Sequence, residues 1–122
     1  MIDFDEPRLA DAVETMSDEA VNSLPFGVVR LDAGGKVIFF SDTERRLSGF
    51  RNETLGRLFF LEIAPCMNNE RFKGRIERAM ATGRLDLAFG HVGDYIDQSQ
   101  ALDVRVQSAS GGGCWIFLKR AD

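Results

Sequence analysis

The chain has 122 residues, enough for one domain that buries roughly two-thirds of its surface around a single core. Its 19 acidic and 15 basic residues are interspersed and leave a formal net charge of -4, which argues against nucleic acid and against an anionic membrane as partners. Two widely separated cysteines and one histidine are too few for a disulfide framework or a convincing metal site. Reduced thiols in a cytoplasmic setting are expected, because the N-terminus is acidic and no apolar run reaches the length of a membrane-spanning helix.

Residues 7–24 read as one or two short helices. Leu9, Val13 and Met16 follow helical spacing, Ala20 to Leu24 adds a second short stripe, and Pro25 ends the segment. The amphipathicity is weak, so this piece is expected to lie over a sheet as a cap, to bury little apolar area and to detach at low cost. From Phe26 the period changes to 2. Residues 26–32 and 37–41 flank Ala33-Gly34-Gly35-Lys36, which is a hairpin with glycines for the tight turn. Ser41 or Asp42 then caps a short helix through Arg46, with Gly49 as its stop, and Glu44 and Ser48 share one face of it. Residues 51–56 read as a polar turn or a single helical turn.

The apolar run 58–66 ends in Pro65-Cys66, near the middle of the chain. Cys66 follows a proline and precedes Met67-Asn68-Asn69, which has the look of a helix cap. That spacing places the thiol at a helix entrance, where free N–H groups favour the thiolate and attack on an activated acyl group. Phe72, Ile76 and Met80 mark an amphipathic helix capped by Asn68 or Asn69 and stopped by Gly83. Strands are expected over 85–93, 101–109 and 114–120; in the second, Leu102, Val104 and Val106 point one way and Asp103, Arg105 and Gln107 the other. The order describes an α+β sandwich: a five-stranded antiparallel sheet with helices on one side, a helical cap over 1–24 and a core over 25–122, one domain enclosing a small pocket.

Three segments carry a family resemblance: Leu24-Pro25-Phe26-Gly27-Val28-Val29-Arg30-Leu31-Asp32; Gly56-Arg57-Leu58-Phe59-Phe60 with Ile63-Ala64-Pro65-Cys66; and Cys114-Trp115-Ile116-Phe117-Leu118-Lys119-Arg120. Over nearly its whole length the chain resembles the photoactive yellow protein (xanthopsin) family, the light-sensing branch of the PAS domains. The resemblance implies a PAS-like sheet and 4-hydroxycinnamic acid (p-coumaric acid) bound as a thioester at Cys66. It places Glu44 on the buried acid that hydrogen-bonds the chromophore's phenolate oxygen. Ser48 falls where the family has a threonine supporting that network, Ala64 and Pro65 lie in the attachment motif, and Phe59 and Tyr95 fall on pocket-wall aromatics. Three positions depart from the pattern. Phe40 stands where the family usually has a tyrosine donating to the phenolate, Phe50 replaces an arginine over the pocket, and Gly93 replaces a wall phenylalanine.

The residues alone leave alternatives open. Glu44, in Glu44-Arg45-Arg46, is either a surface charge or a buried neutral donor, and Cys66 is either acylated or a buried thiol without chemistry. Cys114 reads as packing, and His91 lies on a strand with nothing to orient it as a base. Phe39, Phe40, Phe59, Phe60, Phe89 and Phe117 read as core that also serves the pocket. Three functions follow. One is a blue-light photoreceptor in which Glu44 passes a proton to the phenolate, the cap loosens and an unknown downstream signalling protein responds. The second is a non-photoactive PAS sensor or protein-interaction module binding another small ligand. The third, an enzyme with Cys66 as turnover nucleophile, lacks a base and is not favoured.

Loss of the tyrosine hydroxyl at Phe40 removes a bond to a charged oxygen worth about 1.5–3 kcal/mol, so the bound phenol should ionise roughly one to two pH units higher than in a tyrosine-bearing relative. Phe40→Tyr should shift an absorption titration of the loaded protein toward the ionised band at fixed pH. An unmoved midpoint would place Phe40 away from the phenolate.

Overall fold

The change of period at residue 26 becomes, in a computed structural model that describes residues 2–95, 97 and 99–120, the hairpin of β1 (Gly27–Leu31) and β2 (Val37–Phe40). Asp32 closes the turn, its Oδ1 accepting from the backbone N–H of Gly34 and of Lys36 at 2.9 Å each. The three later strands are β3 (Asp86–Val92), β4 (Ala101–Ser108) and β5 (Cys114–Arg120). All pairings are antiparallel in the order β2-β1-β5-β4-β3, so the last strand of the chain is the middle strand of the sheet. The expected α+β fold is present; of the two expected parts, 1–24 and 25–122, Met1, Ile96, Gln98, Ala121 and Asp122 lie outside the described residues.

Strand alternation sends side chains to two separate cores. On one face Val29, Leu31, Leu102, Val104, Val106, Ile116 and Leu118 pack under Phe59, Phe60, Ile63, Met67, Phe72 and Ile76. On the other, Val28, Trp115 and Phe117 pack against Phe4, Leu9, Val13, Val21 and Leu24. The N-terminal helices, α1 (Leu9–Glu14) and α2 (Asp18–Asn22), therefore cover the face opposite the rest of the helical structure. The expectation that the cap buries little is wrong. Its stripe is short, but each apolar residue in it is used, and Leu9 and Val13 are as buried as any strand residue.

Polar side chains of β4 add to this closure. The Arg105 guanidinium donates to the carbonyls of Phe4, Glu6 and Pro7 at 2.7, 2.6 and 3.3 Å, and Gln107 donates to Pro7 while accepting from the Ala10 N–H at 2.7 Å. The outward half of the alternation pattern in β4 is thus an attachment for the N-terminal backbone rather than a solvated face.

On the first face, α3 (Asp42–Ser48) runs two residues beyond the expected end and stops at Gly49, whose φ of 74° provides the left-handed cap. Ser41 is its N-cap. The Ser41 Oγ accepts from Glu44 N at 3.1 Å and from Val28 N at 3.0 Å, which fixes the helix to β1. The apolar run 58–66 folds into two short turns. Phe59–Ile63 forms a π-helical turn closed by Ala64 N to Phe59 O at 2.7 Å, and Pro65–Met67 a single 3-10 turn. Then α4 (Lys73–Ala81) begins six residues past Met67, with Asn69 Oδ1 capping the turn ahead of it through Arg71 N and Phe72 N. Phe72 and Ile76 enter the core, whereas Met80 is half exposed and ends the stripe early.

Truncating a fully buried leucine typically costs about 2–5 kcal/mol. Leu9→Ala should lower the free energy of urea unfolding by an amount in that range. A loss near zero would mean that the cap is docked only loosely.

Candidate functional site

Glu44 lies on the first turn of α3 and is fully buried against β1. It fits there because residue 27 is glycine: a Cβ at that position would fall 1.7 Å from the Glu44 Oε1. Arg120 ends β5. It lies on the same side of the strand as Cys114, Ile116 and Leu118, and its guanidinium is turned inward with the side chain only 9% exposed. Nη1 donates to Glu44 Oε1 at 2.5 Å and Nη2 to Oε2 at 3.0 Å. The same guanidinium holds Asp94, through Nε to Oδ2 and Nη2 to Oδ1, both at 2.9 Å. Two carboxylates from separate segments thus share one buried cation.

Burial pushes the Glu44 pKa above its ordinary value, Arg120 pulls against that through its hydrogen bonds and charge, and the charge of Asp94 adds to the rise. For Arg120, burial opposes the charge, but Glu44 and Asp94 outweigh it and keep the guanidinium protonated. Removing one member of such a set leaves a buried charge uncompensated, a change that costs about 3–5 kcal/mol.

Beside this set stands an aromatic wall. Phe40 lies 6.5 Å from Phe50 and 6.3 Å from Tyr95, centroid to centroid; Phe50 meets Tyr95 edge-on at 5.9 Å and Phe59 meets it at 6.0 Å. The Tyr95 hydroxyl is buried beside Glu44, and burial first, then the charge of Glu44 and hydrogen bonding to it, push its pKa well up. Arg45 fastens the rim, its guanidinium 5.4 Å over the Phe40 ring and donating to the carbonyls of Phe50 and Asn52.

Cys66 is half-buried at the edge of the same core, and its Sγ donates to the Asp94 carbonyl at 3.7 Å. The expected helix entrance is absent. Cys66 is the middle residue of a three-residue 3-10 turn and α4 starts only at Lys73, so no helix N-terminus is aimed at the thiol. Proline 65 opens that turn from an exposed position and Ala64 is buried behind it. The Ser48 hydroxyl is buried too, but it accepts from Phe50 N at 3.1 Å, which shapes the end of α3. Gly93 is buried at the end of β3, with φ 128° and its N–H on the Gln100 carbonyl. Cys114 packs in the core, where burial pushes its thiol up to about 12. His91 meets the Phe72 ring edge-on, and burial together with Arg71 and Arg75 lowers its pKa.

The structure therefore brings Phe40, Phe50, Phe59, Ala64, Cys66 and Tyr95 into one core, with Glu44 reaching the same loop through Arg120. Sequence reading missed Arg120 and Asp94. Arg120 had a signal: alternation along β5 puts it on the side of Cys114, Ile116 and Leu118, where a charge has to find a partner. Asp94 follows a glycine in a loop and gave none. A thiol, a wall of rings, a buried acid and a buried phenolic hydroxyl suit a flat aromatic group with an ionisable oxygen.

No family model matches the chain. It is 34% identical to the photoactive yellow protein of Rhodothalassium salexigens over 98% of both chains, and 36% identical to that of Rhodobacter capsulatus over 81% of this chain and 82% of the other. Among solved structures, the photoactive yellow protein domain of the sensor histidine kinase Ppr from Rhodospirillum centenum matches with TM-score 0.81 and 33% identity, covering 90% of this chain and 98% of that one. A PAS domain from Colwellia psychrerythraea, at 12% identity and TM-score 0.65 over 89% and 97% of the two chains, shares the fold alone.

Since the folded pKa of Glu44 lies above its ordinary value of 4.5, the stability it lends is complete below the unfolded pKa and is lost as pH rises through the folded one. Urea unfolding of the wild type and Glu44→Gln across that interval should show the wild type losing stability relative to the variant as pH climbs. Parallel curves would mean that Glu44 titrates normally.

Proposed function

The chain belongs to the photoactive yellow protein family of PAS photoreceptors, and we propose that it is a blue-light receptor with 4-hydroxycinnamic acid joined to Cys66 as a thioester. The observation that carries this is the placement of the Cys66 thiol in the core whose aromatic wall abuts a fully buried carboxyl, Glu44. Bound there, the chromophore would supply blue-light absorption and a double bond that isomerises. The protein's part is to hold and to exclude. Cys66 fixes one end, Phe40, Phe50, Phe59 and Tyr95 keep water from the ring, and Glu44 holds the proton that it passes to the ring oxygen. Burial, by raising the Glu44 pKa, favours that proton.

The bond described for the Cys66 thiol runs to a backbone carbonyl, which accepts a hydrogen bond but cannot serve as a general base, and His91 sits against Phe72. Turnover chemistry at Cys66 is therefore not part of the proposal. A cytoplasmic setting is included, supported by two cysteines that are both free thiols, and no described helix is long and apolar enough to cross a membrane. The related domain from a sensor histidine kinase supports a signalling protein as downstream partner.

Incubation with an activated ester of 4-hydroxycinnamic acid should add one acyl group by intact mass and give a blue-absorbing band. Cys66→Ala should abolish the adduct and Cys114→Ala should retain it. An adduct that survives Cys66→Ala removes the assignment, and a wild type that stays unmodified leaves a PAS sensor for another small ligand.

A further inference from the structure

Phe40 has no hydroxyl to offer a ring oxygen, yet Tyr95, whose ring lies 6.3 Å from that of Phe40, is close enough to Arg120 to feel its charge. Arg120 has five N–H groups. Four are used: Nε and one on Nη2 go to Asp94, and one on each of Nη1 and Nη2 go to Glu44. The fifth, on Nη1, has no partner among the described residues.

The two carboxylates are not held equally. Asp94 Oδ1 also accepts from the Tyr95 N–H at 2.9 Å, and its side chain is 5% exposed. Glu44 is 0% exposed; among the described residues its side-chain oxygens accept from Arg120, with the Tyr95 hydroxyl beside them and no backbone N–H. The groups that face it are Arg120 from β5, Asp94 from the loop after β3, and the Tyr95 hydroxyl. With both acids ionised the set carries one net negative charge. A buried ring anion would bring it to two, and the least costly relief is a proton on the acid with the weaker support.

We propose that Arg120 is the counter-cation of this site, holding Glu44 as a carboxylate in the unloaded chain and supporting the ring oxygen in the loaded one, where Glu44 takes a proton from solvent and becomes a donor. The loaded half rests on the function proposed above; the unloaded half does not. Arg120 is thus a residue that binds the ring anion directly and sets the charge of Glu44.

The test follows the Glu44 carboxyl by isotope-edited NMR in the full unloaded chain as pH is varied. Arg120→Gln should raise its midpoint by about one to two pH units, since a bond to a charged group is lost. Asp94→Asn should lower it by removing a like charge and freeing Arg120 for Glu44, a direction that loss of folding would not produce. Arg120→Lys should fall between wild type and Arg120→Gln. A midpoint unchanged in Arg120→Gln overturns the unloaded half. In the loaded protein, Arg120→Gln should raise the pH at which the chromophore's ring ionises, and an unmoved ring titration overturns the loaded half. If no chromophore attaches to Cys66, the proposed function fails, and with it the loaded half, while the Glu44 titration still decides the unloaded one.

Discussion

One buried guanidinium between two carboxylates joins three parts of the chain that are far apart in sequence: the first turn of α3, the loop after β3 and the end of β5. Its placement depends on smaller features around it. Gly27 leaves room for the Glu44 side chain, Ser41 caps α3 while fastening it to β1, and Asp94 turns its backbone carbonyl toward Cys66 as its carboxylate meets Arg120. The acid and the thiol are therefore connected through Asp94 and Arg120 rather than by direct contact. In a low-dielectric interior such a set is stable only when every charge has a partner, so a change at one member is felt by the others.

Much of this was legible before any coordinates. The hairpin at 26–41, the N-cap at Ser41, the glycine stop at 49 and the alternation of β4 follow local rules that the sheet does not override. The buried status of Glu44 was not legible from its neighbours, because Glu44-Arg45-Arg46 reads as the solvated face of a short helix; family register supplied it. Two local signals misled. Pro65 followed by Asn68 and Asn69 suggested that Cys66 stands at the entrance of a helix capped by one of those asparagines, but the chain spends those residues on a 3-10 turn and a separate asparagine-capped turn. The weak stripe of residues 9–24 suggested a lightly held cap, because periodicity counts apolar residues and not what they meet. Here they meet Trp115 and Phe117, with Arg105 and Gln107 binding the backbone besides.

That attachment changes how a signal could leave the site. A cap held by little could be shed at almost any perturbation. One held by a second core and by five hydrogen bonds from and to Arg105 and Gln107 is coupled to the sheet it lies on. The shared element is β5, the middle strand, whose alternate residues belong to opposite cores. Arg120 stands two residues from Leu118 on one face and three from Phe117 on the other, so displacement of the guanidinium has a short covalent path to the cap side.

The single tryptophan of the chain gives this arrangement an optical consequence. Trp115 lies beneath the cap, stacked at 8° on Phe117, with its Nε1 donating to Glu14 of α1 at 2.7 Å and the Arg30 guanidinium 5.2 Å from its ring. Its emission therefore depends on whether α1 is seated. A chromophore on Cys66 would be seen in the visible region from the other side of the same sheet. With that chromophore bound, the two cores would carry separate spectroscopic labels, and the delay between their responses to a light pulse would measure how long the middle strand takes to pass a change through its own thickness.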